Sequence, residues 1–194
     1  NVMAKKALTF TGGPLNNTSG SLVGDDSVTL DLLGALTNVN GALGSGAALL
    51  IKRAVSVDNQ GGQLISQTLL SLLTSGDLNN SQRGTVSANG QLDLTVAGTL
   101  RNDADGLLSS RDAGVSLTAA ALNNSKGAVQ SMTALSVNTG SGAIDNQGGK
   151  IIAQNGDLTL NAASLDSRGG VLSSLKGLLQ TRLSGVLRNG QGGK

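Results

Sequence analysis

The chain has 194 residues, 29 of them Gly, with one Pro, one aromatic residue (Phe10) and no Cys, His, Trp or Tyr; all 12 acidic residues are Asp. That excludes a disulfide framework and cysteine-based metal sites. The lack of Glu, a good helix former, beside so much Gly, Asn, Ser and Thr argues for many short strands and turns. The net charge is +2, and the basic residues lie singly apart from Lys5-Lys6 and Lys52-Arg53. Such scatter, without aromatic partners, gives no nucleic-acid surface. Charged residues are 13% and apolar residues 38% of the chain, too few charges and too many regularly spaced apolar groups for disorder. No apolar run approaches the roughly 18 residues of a membrane span.

Residues 1–14 read as the end of a preceding unit: Ala7-Leu8-Thr9-Phe10-Thr11 alternates as a strand does, and Gly12-Gly13-Pro14 turns it. From Leu15 onward a unit recurs, with copies starting at Leu15, Leu36, Val57, Leu78, Leu100, Leu122, Ile144 and Leu165, and a ninth at Leu187. The copies are 21 or 22 residues apart. Ile144–Ser164 shows the parts in order: an apolar residue, Asn two places on, Gly-Gly, an apolar strand, a small polar turn and Leu-x-Leu. Val57–Asp77 carries Asp-Asn-Gln-Gly-Gly at the same place.

The Asn position is filled by Asn17, Asn38, Asn59, Asn80, Asn102, Asn124, Asn146 and Asn189, and by Ser167 in the remaining copy. Three to four residues later comes Gly, single or doubled (Gly20, Gly41, Gly61-Gly62, Gly84, Gly106, Gly127, Gly148-Gly149, Gly169-Gly170, Gly192-Gly193), then an apolar residue, from Leu22 to Leu172. The closing pair runs Leu30/Leu32, Leu49/Ile51, Leu70/Leu72, Leu92/Leu94, Val115/Leu117, Leu135/Val137, Leu158/Leu160 and Leu179/Thr181.

A period near 21 residues means a solenoid. Propeller blades need about 40 residues. Two clear strands, a short third at the Leu-x-Asn step and no helical pattern leave one architecture. It is an all-β, right-handed parallel β-helix of about nine coils, 21–22 residues each. Stacking at about 4.8 Å per coil makes a rod of roughly 43 Å. The start residue, the residue after Gly and the Leu-x-Leu pair should face a shared dry interior. The expected organisation is a single segment over 1–194: a partial coil (1–14), eight repeats (15–186) and a partial coil (187–194), cut from a longer array. The stacked Asn should form an amide ladder, each side chain bonding its neighbours above and below. The Gly that follows should supply a positive φ for the turn. Open strand edges at both ends allow end-to-end stacking of an otherwise monomeric fragment.

The unit L-x-N-x-x-G-x-L followed by L-x-L resembles the repeats of filamentous haemagglutinin and of related exoproteins of two-partner secretion systems, including contact-dependent inhibition proteins. The copies Leu78-Asn79-Asn80, Leu100-Arg101-Asn102, Leu122-Asn123-Asn124 and Ile144-Asp145-Asn146-Gln147-Gly148-Gly149 carry it best. The resemblance implies secretion to the bacterial cell surface through an outer-membrane transporter, a long rod, and roles in adhesion, virulence or presentation of distal domains.

Other candidates read as ordinary structure. Asp25-Asp26 and Asp103-x-Asp105 are the only close carboxylates, with Arg101 and Arg111 near the second group. β-Helical polysaccharide-degrading enzymes use paired acids, but usually with aromatic walls, and here solvated turns are expected. The G-x-G steps at Gly44–Gly46 and Gly140–Gly142 are turns, and no phosphate-binding loop or calcium nonapeptide is present. The expectation is a non-enzymatic stalk without cofactor, metal, nucleic-acid partner or membrane insertion. The rival reading makes the β-helix surface itself an adhesive module for a host or bacterial receptor.

Overall fold

The computed structural model describes all 194 residues, and every regular element in it is a β-strand. Each coil runs through three faces. In the Val57 coil the third-face strand is Val57–Asp58, the first-face strand Gln63–Ser66 and the second-face strand Leu70–Thr74. The first face stacks into a nine-stranded sheet, from Val2–Ala4 to Val171–Ser174. The other two faces make a 16-stranded sheet, because Leu92–Arg101 and Val115–Asn123 run through the corner between them and serve both. All pairing is parallel, and Leu64 illustrates it: it lies between Leu43 of the coil before and Val86 of the coil after. The chain is thus a β-solenoid of nine turns.

The alternation of side chains in a strand sends every second one inward. The result is one core of 35 buried apolar residues. It takes the start residues from Leu36 to Leu165, the post-glycine residues from Leu22 to Ile151, and the closing pairs from Leu49/Ile51 to Leu158/Leu160. In the Leu15 coil the register corrects the sequence reading. Val28 and Leu30, not Leu30 and Leu32, align with Leu49 and Ile51. Leu32 instead aligns with Gly12, at a third inward position nearer the corner. Leu179 and Leu187 hold inward positions of the last coil, yet are 46% and 50% exposed, because a coil packs on only one side of them.

A second inward row on the first face is small and polar: Ser45, Ser66, Ser110 and Ser131 are buried. Their hydroxyls bond carbonyls at the corner, as Ser66 Oγ does with Ala47 and Leu69 at 3.0 and 2.8 Å. Gly24, Ala88 and Ala153 fill the same row in other coils, so every copy puts a small residue at this inside corner.

Candidate functional site

The most ordered polar array in the molecule is the Asn row. It sits inside the turn between the third and first faces, and Asn38, Asn59, Asn80, Asn102, Asn124 and Asn146 are fully buried. The Nδ2 of each donates to the Oδ1 of the next. The distances are 2.7 Å for Asn17 to Asn38, Asn38 to Asn59 and Asn59 to Asn80, 2.8 Å for Asn80 to Asn102, and 2.7 Å for Asn102 to Asn124 and Asn124 to Asn146. Asn146 donates to Ser167 Oγ at 3.0 Å. Asn189 is exposed, and its only side-chain bond is to the Gly193 carbonyl, so the run of joined side chains stops at Ser167. The shorter serine side chain cannot carry an amide donor on to the next coil.

The amide does more than stack. Asn59 Nδ2 also bonds the Gly62 carbonyl of its own turn at 3.2 Å and the Thr85 carbonyl of the next coil at 3.1 Å. The same pattern recurs at Asn38, Asn80, Asn102 and Asn124. Two amide hydrogens thereby serve three acceptors, and no buried side-chain nitrogen or oxygen lacks a partner.

The expectation for the glycines holds at the first member of the pairs, where Gly61, Gly148, Gly169 and Gly192 take positive φ, and fails at the glycine that follows or stands alone. Gly41, Gly62, Gly84, Gly106, Gly127, Gly149 and Gly170 do not have positive φ. Each instead lies against the carbonyl oxygen of the Asn one coil earlier, and a Cβ there would sit inside that oxygen's van der Waals envelope. Glycine is required for close approach of two backbones. The positive φ falls on the residue before it: Ser19, Asn40, Gly61, Lys126, Gly148 and Gly169. In the Leu78 and Leu100 coils the turn is one residue longer, and two consecutive residues take positive φ, Gln82-Arg83 and Ala104-Asp105.

A second repeated contact lies just outside the row. The residue before the stacked Asn accepts, through its side-chain oxygen, the backbone N–H two places on: Asn16, Asp58, Asn79, Asn123 and Asp145 do so, as does Asp166 before Ser167. These Asx turns pre-bend the chain. At Asp166 the Arg168 side chain also bonds the carboxylate, with Nη2 to Oδ2 at 2.7 Å, and this contact holds the carboxyl below the usual aspartate range.

The other candidates are dispersed. Asp25 and Asp26 are exposed in a turn, with Asp25 paired to Lys5 at 3.2 Å. Asp103 and Asp105 form no ion pair, Arg101 points out of the third face, and Arg111 pairs with Asp112 at 3.6 Å at a different corner. No three His, Cys, Asp or Glu side chains gather where they could hold a metal ion. No helix is long and apolar enough to cross a membrane.

Fold and site together define a parallel β-solenoid stacked along an internal row of side-chain amides. The haemagglutinin repeat family matches it over residues 1–82, 76–148 and 133–191, and the chain belongs to that family. Comparison with curated proteins and with solved structures gave no significant match. Haemagglutinin-repeat proteins are in general structural rather than enzymatic, and repeat and fold together fit the rod of a secreted, surface-associated adhesin.

Proposed function

We propose that this chain is a rod-forming stretch of a bacterial exoprotein of the two-partner secretion type, which extends and displays distal adhesive or toxin-delivery domains. The observation that supports it most is the unbroken coil-on-coil register over nine strands of the first face. Each coil contacts its neighbours and adds about 4.8 Å of reach. The joined Asn row acts in this reading as the spine that fixes coil register. Export through an outer-membrane transporter fits the same architecture. Coils can dock one at a time as they emerge, and each docked coil opposes backsliding. Leu94→Asp in the parent protein places an unpaired charge in the core. Secretion should then stall part-way, and undiminished export would count against folding-driven transport.

The rival reading, a directly adhesive surface, has one observation in its favour: an apolar patch at Leu33, Val55 and Leu73, toward the N-terminal end of the rod. Titration of labelled, folded protein onto host and bacterial cells separates the two. A spacer shows no saturable binding. Saturable binding competed by unlabelled protein overturns the spacer reading and makes the surface an adhesin.

A further inference from the structure

Most large exposed apolar side chains lie in the first or last coil. Apart from the isolated Met132, the exceptions are Leu33, Val55 and Leu73, which sit in three successive coils at 65%, 51% and 46% exposure. They wall an open cleft of about 430 Å³ at the corner between the second and third faces, which Ala97 also lines. Beyond Ala97 the strands Leu92–Arg101 and Val115–Asn123 continue through this corner, with Ala97-Gly98 set against Ala120 alone. Its volume falls in the range of small-ligand sites, about 300–1,000 Å³, which are mainly apolar with few polar groups.

The polar groups are supplied by a local irregularity. Between Ile51 and Ala54 the strand carries one residue more than its neighbour, which sets Leu73 alone against Lys52 and Arg53. Both side chains therefore face outward in succession, as the burial pattern shows. A bulge commonly re-aims a side chain in this way. Arg53 lines the cleft and engages Asp31 through Nε alone, while its two Nη groups make no hydrogen bond. Lys52 forms no ion pair. An apolar trough therefore opens onto the Arg53 guanidinium, whose Nη donors are unspent, with Lys52 next to it in the chain.

We propose that this cleft binds a free aliphatic carboxylate, its chain lying along Leu33, Val55 and Leu73 and its carboxylate on the Arg53 guanidinium with Lys52 beside it. The pairing is complementary in both parts: hydrocarbon leaves water against the leucines, and a carboxylate matches the Arg fork. The inference is independent of the rod reading.

The test is titration of dodecanoate, below its micelle concentration, into the intact chain, followed by methyl NMR and calorimetry. The expected result is saturable one-to-one binding with shifts confined to Leu33, Val55, Leu73 and Ala97. Arg53→Gln should weaken it roughly tenfold, the scale of one charge-assisted bond. Val55→Asp should remove it. Both positions are exposed, so unchanged melting curves show that the variants are folded. Three outcomes overturn the proposal: no saturable binding, equal binding of dodecyltrimethylammonium, or shifts centred on the exposed leucines of the last coil.

Discussion

Two turns of the rod solve one problem with different parts. The Ile144 coil turns through Asn146-Gln147-Gly148-Gly149, with Gly148 at φ 63°. The Leu100 coil turns through Asn102-Asp103-Ala104-Asp105-Gly106, one residue longer, with Ala104 and Asp105 at φ 51° and 65°. The stacked asparagines nevertheless hold the same spacing, 2.7 Å from Asn102 to Asn124 and 2.7 Å from Asn124 to Asn146. What the turns share is the Asn and the Gly that touches the previous coil. What they do not share is length, the residue at positive φ, and the Asx acceptor, which is Asp145 in one and replaced by Arg101 in the other. Coil stacking therefore constrains the inside of the turn and leaves its outside free.

The sharpest way to break that contrast is to substitute two adjacent glycines. Gly149→Ala drives a methyl group into the Asn124 carbonyl of the neighbouring coil, where only backbone movement can relieve it. The loss should be about 3 kcal/mol. Gly148→Ala meets nothing nearer than Lys126 Cγ at 3.6 Å, and suffers only the left-handed backbone penalty, about 1 kcal/mol. Gly106→Ala should resemble Gly149→Ala despite the longer turn. Chemical denaturation measures all three, and equal losses at Gly148 and Gly149 would overturn the distinction.

The next effect tests the shared Asn. Asn80→Ala takes the acceptor from Asn59 and the donor from Asn102, both fully buried. It should cost about 2–3 kcal/mol. Asn17→Ala removes a partly buried residue that donates to Asn38 and accepts from no Asn, and should cost about 1 kcal/mol. Equal losses at the two positions would mean that the row contributes no more than its local turns.

Much of this was legible in the chain, and the physical reason is repetition. A pattern that stacks must recur at one period, so start residues, Asn and Leu-x-Leu announced nine coils and their inward faces. What stayed illegible was whatever two arrangements spell alike. Val28-Thr29-Leu30-Asp31-Leu32 contains two overlapping Leu-x-Leu-like pairs, and only the neighbouring coil chooses between them. Gly148-Gly149 reads as one flexible turn, whereas one glycine is there for its φ and the other for its missing Cβ. The buried Ser row hides because serine also marks exposed turns. The bulge at Lys52-Arg53 hides because two charged residues in succession read equally well as the end of a strand. Asn189 matches the motif, but Ser167 beside it breaks the run.

On the outside of the turn, the comparison predicts a gain. Lys126 takes φ 58° where the Val57 and Ile144 coils place Gly61 and Gly148. Lys126→Gly removes a backbone penalty of about 1–2 kcal/mol and adds unfolded-chain entropy of about 0.5–1 kcal/mol, leaving a net gain near 0.5–1 kcal/mol. Asp105→Gly should gain less, because Asp tolerates the left-handed region better. A loss of stability at Lys126 would show that its side chain matters more than its backbone angle.

The smallest effect concerns the Asx acceptors. Asp166 accepts from the Arg168 backbone N–H at 3.2 Å and from its guanidinium at 2.7 Å, and the carboxyl is held below the ordinary value of 3.8 chiefly by the side-chain bond. A carboxyl with a depressed folded-state pKa contributes stability above its unfolded pKa, and loses it as pH falls through the folded one. Arg168→Gln should therefore melt earlier than the parent at neutral pH, with the gap closing as the pH drops below about 4. The pair is partly exposed, so salt should narrow the same gap. A gap that persists unchanged in acid would assign the role of Arg168 to its contact with Gln147 of the neighbouring coil, at 3.3 Å, and not to its charge. The Leu100 coil, with Arg101 in place of the acid, already stacks without this device, which is why its removal should be felt last.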